Sequence, residues 1–150
     1  MVYFNMMEFF ESETARERKI ANKAKTWLEQ REVEQNLRVL VAQILDPLRM
    51  DMGYPIHVNS GYRCPALNEA IGGAKNSQHM KGMAADITMV PTGNTIWNAK
   101  QLNIEAFDRI RDGYSFDQLI IYGEGKDRGR FIHVSFKSYG DNRNQVLNLK

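Results

Sequence analysis

One cysteine in 150 residues, Cys64, is all the thiol chemistry this chain has. A lone thiol closes no intramolecular disulfide and builds no thiolate cage, so any metal would have to be held by nitrogen and oxygen. Set in Gly61-Tyr62-Arg63-Cys64-Pro65, Cys64 reads as a small, partly buried packing residue. Also missing is any apolar run approaching the ~18 residues of a membrane span, so no transmembrane segment is expected. The first eleven residues are apolar but carry acids early and no basic leader, unlike a signal peptide. Synthesis in the cytoplasm without a signal peptide is the expectation. Nor is there a surplus of charge: 20 basic residues oppose 18 acidic ones, scattered rather than run together. That excludes a basic tract for nucleic acid and leaves only weak attraction to an anionic polymer.

What is present suffices for one ordinary domain over residues 1–150, since 43% hydrophobic content at this length can bury a real core. A monomer is expected. Between residues 31 and 51, Val33, Leu37, Leu40, Val41, Ile44, Leu45 and Leu48 recur at helical spacing, and Pro47 is expected to kink or tighten the last turn. Upstream, Ser12 or Thr14 is placed to cap a charged helix running to about Lys25. Ile56-His57-Val58-Asn59-Ser60 alternates and predicts a short strand with His57 on its solvated face. Residues 65–71 read as a brief helix with proline at its start and Gly72-Gly73 past its end. Ala85-Asp86-Ile87-Thr88-Met89-Val90 has strand composition, after which Asn94 or Thr95 could cap a helix through Ile96, Leu102, Phe107 and Ile110, broken before Asn103. Two strand-like runs, 118–122 and 130–136, predict a hairpin. The sum is an α+β domain with helices before and between the strands of a mainly antiparallel sheet.

Alternation in the last run turns Ile132, Val134 and Phe136 toward the core and Phe131, His133 and Ser135 toward the other face. Asp86 opens its own strand behind small residues that permit close approach, and His79 arrives from the loop before it. Two imidazoles and one carboxylate suit a zinc ion with one position left open, the arrangement of a hydrolytic rather than a structural site. The spacing is not that of a helical HExxH pair, so these ligands would come from a loop and two strands. The residues alone leave two readings open, a hydrogen-bonded His79–Asp86 pair or a metal site completed by His133.

Ser60-Gly61-Tyr62-Arg63-Cys64-Pro65, Leu67-Asn68, the run from Gly72 through His79, Gly82-Met83-Ala84-Ala85-Asp86-Ile87 and Phe131-Ile132-His133-Val134-Ser135 resemble the M15 peptidases, the zinc D-Ala-D-Ala carboxypeptidases and phage endolysin peptidases. The likeness is to the compact M15A type and runs from the Phe9 region to about Phe136, leaving the tail unassigned. It implies a hedgehog/DD-peptidase-like fold and zinc held by His79, Asp86 and His133. It also implies that Arg63 presents its guanidinium to substrate or polarises the scissile carbonyl, the fork suiting a carboxylate, and that Ser77 contacts substrate. The substrate class so implied is the peptidoglycan stem peptide.

The chain departs from the family pattern at the general base. Relatives place an acid or histidine three residues before the last ligand, here Arg130, or at the end of the preceding strand, here about Tyr122. Glu124 is the acid expected to serve instead, with Asp127 in the same connection as second candidate; each could equally be a solvated loop acid. D-Ala-D-Ala carboxypeptidase action is the expected activity. The rivals are an L-Ala-D-Glu endopeptidase of a phage lysin, a D-Ala-D-Ala dipeptidase, and a zinc-containing wall-binding module without catalysis. A phage or prophage protein of this kind would reach the wall at lysis or by holin-type release.

Overall fold

The apolar stripe of residues 33–48 becomes the helical support of the fold in the computed structural model, which describes Met1–Lys150. The Ser12 hydroxyl caps α1 (Glu13–Glu17), but the helix stops after five residues rather than running to Lys25. The cause is a left-handed turn at Lys19 (φ 55°), where Lys19 N–H returns to Arg16 and Ile20 N–H to Ala15, satisfying the last carbonyls while Ile20 packs on the core. Helix α2 (Trp27–Leu40) starts on the Thr26 hydroxyl and buries Val33, Leu37 and Leu40. Pro47, expected in a last turn that it would kink or tighten, lies instead inside a helical run that continues to Met52. The chain widens into a π-helical turn, Val41–Leu45, and then continues as α3 (Asp46–Met52) with Pro47 in its first turn. A proline lacks the N–H and crowds the carbonyl four residues back, and the wider turn before it relieves both.

Five strands make up the sheet, in the order β1-β2-β4-β3-β5: β1 (Ile56–Ser60), β2 (Ala84–Met89), β3 (Gln118–Tyr122), β4 (Phe131–Ser135) and β5 (Gln145–Leu149). The first four pair antiparallel, as expected, with β3 and β4 forming the predicted hairpin. The sheet is nonetheless mixed, because β5, from the tail the sequence left unassigned, adds in parallel to β3. Between β1 and β2 lies the short helix α4 (Pro65–Ala70), with proline in its first turn. Helix α5 (Ala99–Gly113) starts later than expected. Asn98, not Asn94 or Thr95, caps it in a reciprocal box with Gln101, and Ile96, 94% exposed, lies outside the helix. No break precedes Asn103, whose buried amide instead accepts from Met89 N–H (2.7 Å) and donates to the Gly129 carbonyl (2.7 Å), tying α5 to β2 and to the turn before β4.

One face of the sheet, with Ala85, Ile87, Met89, Leu119, Ile121, Ile132 and Val134, is buried against α2, α3 and α5 in one hydrophobic cluster. Burial of such side chains, at about 1.5–3 kcal/mol each, is the main stabilising term. The other face carries the cleft. Its far wall is built by the tail, which folds back on the start of β3: Asn144 N–H donates to the Phe116 carbonyl and Gln145 N–H to that of Asp117. Asp117 itself is a buried carboxylate, receiving Arg143 N–H (3.1 Å), Nε (3.0 Å) and Nη2 (2.8 Å), with Lys137 Nζ at 3.4 Å. Burial pushes its carboxyl up, but the hydrogen bonds from Arg143 outweigh this and hold it well below the usual carboxylate range.

A carboxyl depressed in the folded state stabilises the fold above its unfolded value, about 3.9, and that contribution is lost as pH falls from there toward the folded value. Asp117→Ala should therefore cost about 1.5–3 kcal/mol at neutral pH, the scale of hydrogen bonds to a charged group, and flatten the acid limb of stability. Denaturant melts of both proteins between neutral and strongly acid pH check this; a variant as stable as the wild type at pH 7 would show that the tail is not anchored here.

Candidate metal centre

Three local constraints bring His79, Asp86 and His133 together. His79 sits in a single 3₁₀ turn, Gln78–Lys81, begun by Ser77, whose hydroxyl accepts from His79 N–H at 3.2 Å. Gly82 ends that turn in the left-handed region (φ 72°), and a Cβ there would lie 2.5 Å from the Val33 carbonyl, so no other residue fits. Asp86 in β2 and His133 in β4 are direct register partners, flanked in the same row by Ser60 of β1 and Ile120 of β3. Register partners on adjacent antiparallel strands point to the same face. The alternation that sends Ile132 and Val134 into the core therefore sends His133 into the cleft beside Asp86.

Their donor atoms form a small triangle: His79 Nε2 to His133 Nδ1 3.3 Å, His79 Nε2 to Asp86 Oδ1 3.3 Å, and His133 Nδ1 to Asp86 Oδ1 2.9 Å. His79 Nδ1–H donates to the Gly61 carbonyl at 2.7 Å. A carbonyl only accepts, so in the neutral ring the Nε2 lone pair faces the Asp86 oxygen, and two acceptors confront each other at 3.3 Å. A cation between them removes that conflict. The spacing also suits zinc, since bonds of about 2.0–2.1 Å in a tetrahedron give ligand separations of about 3.3 Å. His133 Nε2 is buried with no hydrogen-bond partner, which leaves Nδ1 as the nitrogen turned toward the other two ligands. The residues present fit a zinc ion.

Around this triangle the chain supplies an orienting shell. Gly61, whose carbonyl fixes His79, is held against Phe9 so closely that a Cβ would lie 2.5 Å from the Phe9 carbonyl. Arg63 donates from Nη2 to Asp86 Oδ2 (3.1 Å), from Nε to Ser60 Oγ (2.9 Å) and from Nη1 to Asn68 Oδ1 (3.3 Å). Burial pushes the Asp86 carboxyl up, but the neighbouring imidazoles of His133 and His79 outweigh it and keep the group well below the usual carboxylate range. Burial lowers His79, favouring the neutral ring that can ligate.

The triangle opens onto a cleft of about 440 Å³, walled by Arg63, Ser77, Gln78, Tyr122 and Arg143 among others. The structure thus brings Arg63 and Ser77 to His79, Asp86 and His133, though the Ser77 hydroxyl is engaged in the cap and Arg63 in the shell. It does not bring Glu124 there. Glu124 is exposed at the hairpin turn with Lys150 Nζ at 3.5 Å, and Asp127 is held by Lys100 Nζ at 2.9 Å. Tyr122 does face the cleft, stacked on Phe131 with centroids 4.3 Å apart, and burial raises its phenol. Ser135, expected on the open face, is fully buried: its hydroxyl accepts from Gln118 N–H and its carbonyl from Asp117 N–H. The sequence reading missed Gly61 as a carbonyl partner, Gln78, and the tail residue Arg143. Gln78 stands next to a ligand and could have been found; Arg143, in a polar stretch without periodicity, carries no such signal.

The chain matches the family model of peptidase M15 over residues 2–135. Among characterised proteins, a zinc D-Ala-D-Ala carboxypeptidase of Streptomyces albus G is 50% identical over 44 residues, which are 29% of this chain and 17% of that protein. The match therefore spans about a sixth of that relative's length.

A site of three protein ligands is ordinarily mononuclear, so purified protein should hold about one zinc per chain. His79→Ala, Asp86→Ala and His133→Ala should each lose it while the circular-dichroism spectrum is kept, because the three side chains face the cleft rather than the core. Elemental analysis decides; full occupancy in all three variants would remove the assignment.

Proposed function

The chain belongs to the peptidase M15 family, and from that premise we propose that it is a zinc-dependent peptidase of peptidoglycan stem peptides acting as a D-Ala-D-Ala carboxypeptidase. The observation that carries the reading is the convergence of His79 Nε2, Asp86 Oδ1 and His133 Nδ1 at the floor of an open cleft. Three protein ligands would leave a zinc ion a position for water, as in a catalytic site, whereas a structural zinc site is closed by four. The hedgehog/DD-peptidase-like architecture and action on the cell wall, reached at lysis, belong to the same proposal.

His79, Asp86 and His133 would hold a zinc ion, which would supply there a Lewis acid for the scissile carbonyl and for water at neutral pH. The chain's own groups do the rest. Gly61 fixes the His79 tautomer, and Arg63 holds the outer oxygen of Asp86 so that the inner one stays in the triangle. From its place in the cleft wall Arg63 also adds positive charge where negative charge develops on the carbonyl oxygen. The Ser77 hydroxyl, at the mouth of the His79 turn, lies where the peptide chain passes. Glu124 takes the proton of the attacking water on its carboxylate and returns it to the leaving amine. To do so it leaves Lys150 and turns inward, at small cost, since an exposed pair of this kind contributes about 0–1 kcal/mol.

A second reading has a specific observation in its favour. Asp86, itself a ligand, is the one carboxylate lining the cleft, and Arg130 and Tyr122 stand at the two positions where relatives carry their base. A zinc-containing wall-binding module without turnover would look the same. Digestion of purified peptidoglycan by the zinc-loaded protein, read by mass spectrometry, separates these: loss of one terminal D-Ala is expected. Release at L-Ala–D-Glu would make it an endopeptidase, loss of the D-Ala-D-Ala pair a dipeptidase, and no product from any wall fragment a binding module.

Glu124→Gln should keep its zinc and lower turnover roughly a hundredfold, the usual scale for a general acid–base, while Asp127→Asn, tied to Lys100, should matter far less. Parallel rates on a stem peptide check the pair, and the opposite ranking would make Asp127 the base.

A further inference from the structure

The cleft has two guanidinium groups, and they differ in how freely each can meet a ligand. Arg63 is 11% exposed and donates from all three of its nitrogens, to Ser60, Asn68 and Asp86. Arg143 is placed differently. It reaches the cleft wall from the segment between β4 and β5, beyond the family match that ends at residue 135. Its Nε and Nη2 grip the two oxygens of Asp117, and its own backbone N–H donates to the same carboxylate, so the head group is fixed at both ends of the side chain. Asp117 is fully buried and also receives Gln78 Nε2 at 2.9 Å, which ties the assembly to the residue before the ligand His79. Yet Arg143 remains 52% exposed, and its Nη1 makes no hydrogen bond.

The charges around it leave a surplus facing outward. Asp117 meets two cations, Arg143 and Lys137, with a single negative charge. The one acid on the cleft wall, Asp86, is taken up by Arg63 and the two histidines. The free end of the Arg143 fork, Nη1 with the second N–H of Nη2, has the spacing of a carboxylate's two oxygens and is rigid before any ligand arrives. A preset donor pair gives up little entropy on binding.

We propose that Arg143 is the anion-recognition residue of this cleft and takes a carboxylate of the bound peptide, with Asp117 and Gln78 as the residues that position it. For the identity of the ligand this rests on the peptidase reading above. A stem peptide offers two carboxylates of the right kind, the terminal one of D-Ala and the free one of D-Glu, and Arg143 discriminates between peptides by whichever reaches it.

The test uses the zinc-loaded full chain and one synthetic stem pentapeptide ending in D-Ala-D-Ala, in three forms: both carboxylates free, the terminal one amidated, and the D-Glu one amidated. In the wild type, one of the two amides should raise KM roughly tenfold or more, the scale of a hydrogen bond to a charged group, and which amide does so names the carboxylate. Arg143→Gln should bring that amide and the free acid within about twofold of each other, chiefly through KM. Arg143→Lys, which keeps a cation beside Asp117 and so guards against loss of folding, should recover part of the preference. A residue that merely neutralises Asp117 would lower the melting temperature and weaken all three peptides alike. That result, or a wild type indifferent to both amides, overturns the proposal. Should the wild type turn over none of the three, the peptidase reading fails, and dissociation constants for the same peptides decide Arg143 by the same comparison; failure to bind any of them also overturns it.

Discussion

The pairing register of β2 with β4 is the constraint on which the centre depends. Asp86 lies opposite His133, and Ile87 opposite Ile132. Side chains alternate along a strand, so a slip of one residue would put His133 into the core and Ile132 into the cleft. Ile132 and Val134 are fully buried, and that burial is what forbids the slip. Two of the three ligands are thus placed by hydrophobic packing on the opposite side of the sheet. Within the site one contact opposes the arrangement in the absence of a cation, the Asp86 oxygen and the His79 lone pair at 3.3 Å.

His79 depends on a different device. No strand carries it, so its ring is fixed by the shape of one short turn: Ser77 at the start, left-handed Gly82 at the end, and the Gly61 carbonyl against Nδ1. Gly61 in turn is set by contact with Phe9, near the start of the chain. The backbone reinforces the link, with Tyr62 N–H donating to the Phe9 carbonyl and Arg63 N–H to that of His79. A segment that lies outside the His79–Asp86–His133 triangle therefore helps to position one of its members, through the Gly61–Arg63 stretch.

How much of this was legible depends on what each feature is made of. His79, Asp86 and His133 can be read because alternation and residue chemistry are local properties, and the resemblance to a known family supplies the partners. The buried thiol of Cys64 and the exposed His57 come from the same local logic. Alternation specifies a face but not a direction, so the parallel arrival of β5 was not legible, nor was the strand itself, in a tail with little apolar content. The π turn before Pro47 reflects competition between a helix that packs well and a residue that interrupts it, and both outcomes satisfy the same periodicity. The side-chain directions of Glu124 and Asp127 were beyond reach for another reason: each is decided by a distant lysine, Lys150 or Lys100, whose proximity only the fold creates.

The parallel β5 has a consequence for the order in which this protein assembles. Asp117 precedes β3 directly, yet the cation that grips it most fully stands 26 positions later, in the stretch leading into β5. Until that stretch docks, Lys137, just past β4 and 3.4 Å away, is the one cation beside Asp117, and burying an ionised carboxylate on partial compensation is costly. Docking β5 beside β3 brings in Arg143 and builds the cleft wall at once, against the entropic cost of closing the loop. The neutralisation of Asp117 and the integrity of that wall are therefore coupled, and loosening one loosens the other.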